Sequence, residues 1–418
     1  MKPASLLSII LVILCSCEDR ERLNPLDPKN GLTEGAPTGL KIFTRVDSIA
    51  LRWNPFNVDN MVEYQIYRGF AKDELFKHAA VPADSEVFRE TDLNFEESYF
   101  YAVQALTEFS QSGISKTVST IPGPHTLWVA DMYNFFLRNI SFDGSWGQKT
   151  MEFISPRSLV LDSKSKILWL GEYFEESLLG LDHQMTVVNR IELQDSPIDF
   201  ALDSLRRRLF AVLEDSTLNC YDMDGSVIWN YKLGFNPNLS TELAYDAITE
   251  NIWLSSNVVN AVIKISTDGP AAGVDIFSSI PNPGPLEADP VNGGVWVSTE
   301  TGIIRIKSSG EINWYKQELF IHDVSIHPQS GDCYYTGSRE RFSTWETGYL
   351  INSNPEVHQI ILNNDVDQLY NIQVIPGPNS TGIFVQQAFT WKLLRFTEKG
   401  EKVGELDNFN SRLDFALD

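Results

Sequence analysis

Four acidic residues hold one place in a repeating unit. Asp199, Glu242, Asp323 and Asp414 each stand four residues before the Asp or His that ends a short apolar stretch, at Asp203, Asp246, His327 and Asp418. Ser158, Pro285 and Ile372 occupy the same place in three further stretches. If the stretches are strands arranged around one axis, the carboxylates converge on a single mouth. Like charges a few ångströms apart raise one another's pKa or recruit a hard cation, and Ca²⁺ is the ion such an oxygen-rich ring suits. The simpler alternative is a water-filled channel with solvated acids. His322 beside Asp323 is a candidate acid–base pair with Glu300 on the same side, although adjacent residues of a strand point opposite ways.

A second set of residues is aromatic. Tyr133, Phe135, Phe136, Tyr173, Phe174, Trp345, Phe389 and Trp391 fall in the segments between apolar strands. Clustered on one rim, they would suit recognition of a peptide or glycan. Arg339 lies in the segment Ser338 to Trp345 of the longest repeat, the natural place for a functional insertion. No HExxH, GxSxG, P-loop or CxxC pattern occurs in the chain, which removes the commoner routes to hydrolases, NTPases and zinc sites. Cys220 and Cys333 read as buried free thiols.

The elements that position these residues are set by a period. Leu127-Trp128-Val129-Ala130 recurs in near-copies whose aromatic residues are Trp169, Phe210, Trp253, Trp296, Tyr334 and Phe384, so the intervals are 41, 41, 43, 43, 38 and 50 residues. That interval is too short for a domain and right for one four-stranded sheet per repeat. Each unit has two apolar faces and cannot bury them alone. The expected architecture is therefore a β-propeller of about seven blades over 123–418. Turn signals of the Asp-Gly type, at Asp143-Gly144, Asp224-Gly225 and Asp268-Gly269, fit hairpins between outer strands. The repeat array starts at Leu127 with no first strand and ends at Leu413 to Asp418 with a first strand alone, so one blade is expected to draw on both ends of the array and close the ring.

Length and composition set outer bounds. The chain has 418 residues, 43% of them hydrophobic, enough to bury a large core in more than one domain. Its net charge of −23 argues against a nucleic-acid partner, which would call for clustered Lys and Arg.

Met1-Lys2 followed by the apolar run Leu6 to Leu14 reads as an export signal too short to span a bilayer. Leu14-Cys15-Ser16-Cys17 resembles the lipobox of bacterial lipoproteins. The resemblance implies that residues 1–16 are a signal peptide and that Cys17 becomes the acylated N-terminus. Several acyl chains, each methylene contributing roughly 0.8 kcal/mol, would hold the protein to a membrane. Residues 17–35 are rich in charge, Pro, Asn and Gly and read as a flexible tether with a reach of roughly 60 Å. The acids after Cys17 resemble sorting signals for the outer membrane or cell surface.

Residues 36–122 alternate apolar and polar positions between turn residues. Trp53, Tyr67, and Leu93 followed by Tyr99 resemble the core Trp, core Tyr and tyrosine corner of a fibronectin type III module, which implies a β-sandwich spacer. Val129-Ala130-Asp131, Asn134, Ile140 and Asp143-Gly144 are similar to an NHL-type propeller repeat. Propellers of that kind include binding scaffolds and some enzymes. The combined expectation is an all-β lipoprotein of the bacterial cell envelope, held to the outer membrane, whose propeller binds an envelope protein, peptide or glycan. The alternative expectation is a propeller enzyme of lyase or lactonase type working at the acidic mouth with Ca²⁺.

Overall fold

The computed structural model describes residues 23–145, 147–152, 155–182, 185–340, 343–363, 368–387, 390–409 and 413–417. Cys17, Phe389 and Asp418 lie outside the described residues. Among the described residues the chain is all β, with no helix. It divides after Pro122 into two compact units.

The first unit holds two antiparallel sheets. One has three strands in the order Lys41–Arg45, Ser48–Arg52, Val87–Glu90. The other joins Glu74–Pro82, Met61–Ala71, Tyr99–Thr107 and Gln111–Ile114, with Val118–Thr120 also paired to Tyr99–Thr107. Both sheets feed one core in which Leu51 and Ile49 meet Trp53, Tyr64, Ile66 and Val103. Trp53 and Tyr64 stand edge to face with ring centroids 5.1 Å apart, and Tyr64 Oη accepts the Phe56 N–H at 2.8 Å. Tyr99 Oη accepts the Asn94 N–H at 3.0 Å and donates to Glu97 Oε2 at 2.9 Å, which pins the corner that Leu93 enters.

Two expectations are corrected in this unit. The core tyrosine is Tyr64, because the strand alternates and sends Tyr64 and Ile66 inward; Tyr67 is half-buried and hydrogen-bonds Gln104 Oε1 at 2.8 Å. Nor is residues 17–35 a free tether along its whole length. From Asn24 onward the chain folds into successive turns: Asn30 is buried and its Oδ1 accepts the Leu32 and Thr33 N–H groups, while Thr33 Oγ1 donates to the Pro25 carbonyl at 2.6 Å. Gly113 N–H then bonds Gly35 O at 2.8 Å, and Leu26 packs on the core. Asn and Thr side chains here supply the hydrogen bonds that regular structure would otherwise provide.

Among its described residues the second unit forms seven four-stranded antiparallel sheets. Their inner strands are Pro156–Asp162, Pro197–Asp203, Glu242–Asp246, Leu286–Ala288, Phe320–Ile326, Leu369–Pro376 and Leu413–Leu417. Each neighbours the next, and Leu413–Leu417 lies between Leu369–Pro376 and Pro156–Asp162, so the cycle closes. Closure is made by the last strand: Leu413 pairs with Asp131, Phe415 with Val129 and Leu417 with Leu127, completing the sheet that begins at Leu127. A sheet that would have had an open inner edge is thereby capped.

The repeated aromatic residues are the glue between sheets. Trp169 packs with Phe200 and Leu209 of the following sheet, Trp253 with Leu286 and Val295, and Trp296 with Val324 and Tyr335. Trp169, Trp253 and Trp296 are all fully buried, each contributing on the order of 2–3 kcal/mol of transfer free energy. The Asp residues that end inner strands form turns: Asp203 Oδ1 accepts the Leu205 and Arg206 N–H groups at 3.0 Å, and Asp246 Oδ1 does the same for Ile248 and Thr249. Gly225 and Gly269, at φ +90° and +105°, occupy hairpin positions that a side chain would strain.

Candidate functional site

Side chains at the start of the inner strands surround a cavity of about 550 Å³ on the ring axis. Asp199, Glu242, Asp323 and Asp414 all line it. So does a fifth acid, Glu287, which the register reading passes over because Pro285 holds the repeat position of its strand. Strand alternation carries the signal that was missed, since residues 285 and 287 share a face.

The carboxylates are tied to the neighbouring strand. Asp199 Oδ2 accepts the Leu243 N–H at 2.7 Å, Glu287 Oε2 the Ile326 N–H at 2.7 Å, and Asp323 Oδ2 the Ile372 N–H at 2.9 Å. Asp414 accepts the Leu159 N–H, which clasps the closing strand to the following sheet. Asp199 and Asp323 also accept the N–H of Phe200 and Val324 through their other oxygen. Inner strands of adjacent sheets belong to different ladders, so these side chains supply hydrogen bonds across the seams, and bonds to a charged acceptor are the stronger kind.

Protein walls and mutual repulsion raise the proton affinity of the group. Burial first, then the Glu242 and Asp414 charges, push Asp199 well above the usual carboxylate range. Asp323 is raised well up by burial and by Glu242 and Glu287, against the opposing N–H bond from Ile372. Glu287 is pushed up to about 8, again by burial with Asp414 and Glu242 adding. Glu242 is an electrostatic neighbour common to Asp199, Glu287 and Asp323. Among the described residues no three His, Cys, Asp or Glu side chains gather closely enough to hold a metal ion. Asp199, Glu287, Asp323 and Asp414 each turn an oxygen toward the next strand's N–H.

His322 also lines the cavity, contrary to the alternation argument, because the register shifts between Ile321 and Asp323. Its ring lies 4.8 Å from Trp345, 4.9 Å from Phe320 and 5.1 Å from Tyr370, and its Nε2 bonds Ser338 Oγ at 2.9 Å. Burial lowers its pKa to about 4, so it is neutral at physiological pH. Glu300 lies instead in a separate groove of about 720 Å³ with Trp314, Phe320 and Arg339. Glu300 is thus outside the cavity that His322 and Asp323 line.

The rim residues divide. Tyr133, Phe135, Phe174 and Trp391 are exposed, and Tyr133 reaches the cavity mouth. Arg339 is exposed in its groove. Tyr173 is half-buried: Arg157 stacks on its ring at 4.4 Å and its hydroxyl donates to Glu214 at 2.7 Å. Trp345 is a correction. It is buried, because Cys333–Glu340 and Ser343–Ile351 are long antiparallel strands in which Trp345 pairs with Ser338. Phe136 is likewise a buried strand residue. Cys220 and Cys333 are buried free thiols.

No family model matches the chain, and no curated protein matches it. Solved structures do. A putative 6-phosphogluconolactonase from Bacteroides uniformis aligns with a TM-score of 0.54 at 10% identity, over 70% of this chain and 99% of that one. Streptogramin B lyase aligns at 0.50 with 14% identity, over 62% and 86%. The β-propeller domain of a Myceliophteria thermophila protein aligns at 0.50 with 11% identity, over 62% and 88%. At these identities the likeness establishes the fold: the chain contains a β-propeller.

Proposed function

We propose that this protein is a lipid-anchored binding scaffold of the bacterial cell envelope, in which a fibronectin type III-like spacer carries a seven-bladed propeller that recognises a partner on the face where the axial cavity opens. The observation that carries the reading is the division of labour at that face. The carboxylates that would serve as acid and base spend lone pairs on backbone N–H groups, and His322 is neutral and walled in by aromatic rings. Aromatic side chains on the same side are left bare to water. The order of the two small sheets and the Tyr99 corner support the spacer. The cycle of seven inner strands supports the blade count.

Anchoring rests on Cys17 and its lipobox-like context. Cells fed labelled palmitate should incorporate label into the wild-type chain and none into Cys17→Ser, which should leave the membrane fraction or keep its leader; label on the variant removes the anchor. Binding is tested by affinity capture from the protein's own membranes with wild type and with Phe174→Ala/Trp391→Ala. A partner retained by the first and lost by the second supports the scaffold. Turnover of a lactone panel that disappears on changing His322 or Glu242 would replace the scaffold by an enzyme.

A further inference from the structure

Four exposed aromatic residues share one arc of the rim. Trp391, Tyr133 with Phe135, and Phe174 belong to the hairpins of three successive sheets, those of Leu369–Pro376, Leu127–Asp131 and Pro156–Asp162. A chain of supports runs between them. Phe409 N–H bonds Trp391 O at 2.9 Å, its ring meets Phe136 at 6.3 Å, and Arg138 lies 4.4 Å over Phe409 and 4.5 Å over Phe136. Asn134 Nδ2 reaches Asn408 O at 3.4 Å. On the other flank Arg157 bridges from Met132 Sδ, 3.9 Å away, to the Tyr173 ring, which abuts Phe174 at 5.2 Å.

The repeats supply an internal control. The residue just before the third strand of a sheet has positive φ in five of them: Phe135 (58°), Glu176 (49°), Ser216 (70°), Asn260 (51°) and Trp391 (60°). Glu, Ser and Asn satisfy this turn, so nothing in the hairpin calls for a ring there. Phe135 and Trp391 hold bulky side chains in a conformation that disfavours them and expose 44% and 46% of their surface.

Resting on the scaffold reading above, we infer that this arc docks a basic polypeptide segment, with aromatic or aliphatic side chains against Trp391, Phe135 and Phe174 and a Lys or Arg side chain entering the cavity beside Tyr133. Charge complementarity selects this occupant. Tyr133 is shared by the arc and the cavity, whose wall carries Asp199, Glu242, Glu287, Asp323 and Asp414. Arg157 also lines the cavity but lies against the Tyr173 ring. A cationic side chain would neutralise repulsion among those acids and lie against electron-rich ring faces, both favourable in a poorly solvated site. A neutral oligosaccharide could stack on the arc but would leave the acids uncompensated, and an anionic partner would be repelled by a chain of net charge −23.

The test is selection of a random peptide library displayed on phage against the intact protein, with Phe174→Ala/Trp391→Ala as the counter-target. Enriched peptides should combine Lys or Arg with aromatic or aliphatic residues. In a synthetic copy of one such peptide, changing its basic residue to Ala should weaken binding by about tenfold or more, as should Glu242→Gln in the protein, and added salt should weaken it further. Enrichment of acidic or uncharged peptides, or none beyond the counter-target, overturns the inference. Binding of chito- or cello-oligosaccharides that is lost in the double variant overturns the polypeptide occupant while leaving the scaffold standing; cavity-dependent turnover of lactones overturns both.

Discussion

The cavity wall and the rim are made by the same repeats, yet they treat their conspicuous side chains in opposite ways. In the wall, acids that look poised for chemistry accept backbone N–H bonds from the next sheet, and Asp414 does this across the ring closure. On the rim, Phe174 is 67% exposed and Trp391 sits in a strained turn, so neither adds to the fold what its size would allow. A buried polar group that is satisfied is holding the structure; a large apolar group that is left unsatisfied is available to something else. Chemically suggestive residue types thus point away from the proposed recognition surface, and bland ones toward it.

The contrast is broken most directly at the closing strand. Deleting 413–418 removes the inner member of the sheet at Leu127–Asp131, the burial of Leu413 and Ala416, and the Asp414 clasp. Full burial of Leu413 alone is worth roughly 1.5–3 kcal/mol, and the exposed edge adds to the loss, so the sum approaches a domain's whole stability. The truncated protein should melt at far lower temperature or aggregate. An unchanged melting curve would mean that the wall does not depend on this strand.

One step smaller, Asp323→Ala strips the acceptor from two N–H groups, those of Ile372 and Val324. A cost of about 1–3 kcal/mol is expected for each donor left buried and unpaired. Asp323→Asn keeps one of the two acceptor oxygens and sets its amide N–H2 against the other donor, while removing a charge that burial disfavours, so it should cost about half as much. Denaturant titration of the pair separates the clasp from mere acidity: equal losses in both variants would assign the effect to charge.

The raised proton affinities give the wall a pH signature that the rim lacks. Glu287 binds its proton more tightly folded, up to about 8, than the ordinary value of 4.5, so stability from this group is full below about 4.5 and is lost as pH rises through about 8. Asp199 and Asp323 act in the same direction. Melting temperature should therefore fall between about pH 5 and pH 8, and Glu287→Gln should flatten that fall. A profile identical in wild type and variant would show that Glu287 ionises as in water.

How much of this was legible in the chain depends on what repeats. The aromatic period, the turn-forming Asp residues and the orphan strand at Leu413 recur or are conspicuously incomplete, and each follows from stacking units that cannot bury both faces alone. What escaped were local breaks in register. Pro285 masks Glu287, a bulge turns His322 into the cavity, and long strands carry Trp345 into the core. Tyr67 and Tyr64 sit three residues apart on one strand, and only the packed sheets decide which faces inward. The turns from Asn24 to Gly35 are held by side chain to backbone bonds that composition does not display.

The rim should yield the smallest stability effects and the largest functional ones. Phe174→Ala removes a ring that is mostly in water, so a change within about 0.5 kcal/mol is expected. Phe135→Asn goes further, because the same turn position in a later sheet is Asn260, and Asn tolerates positive φ better than Phe. That variant should match or exceed the wild type in thermal stability, by up to about 1 kcal/mol, while losing partner capture. If it instead unfolds more readily, Phe135 is a packing residue, and the arc shrinks to Trp391, Tyr133 and Phe174.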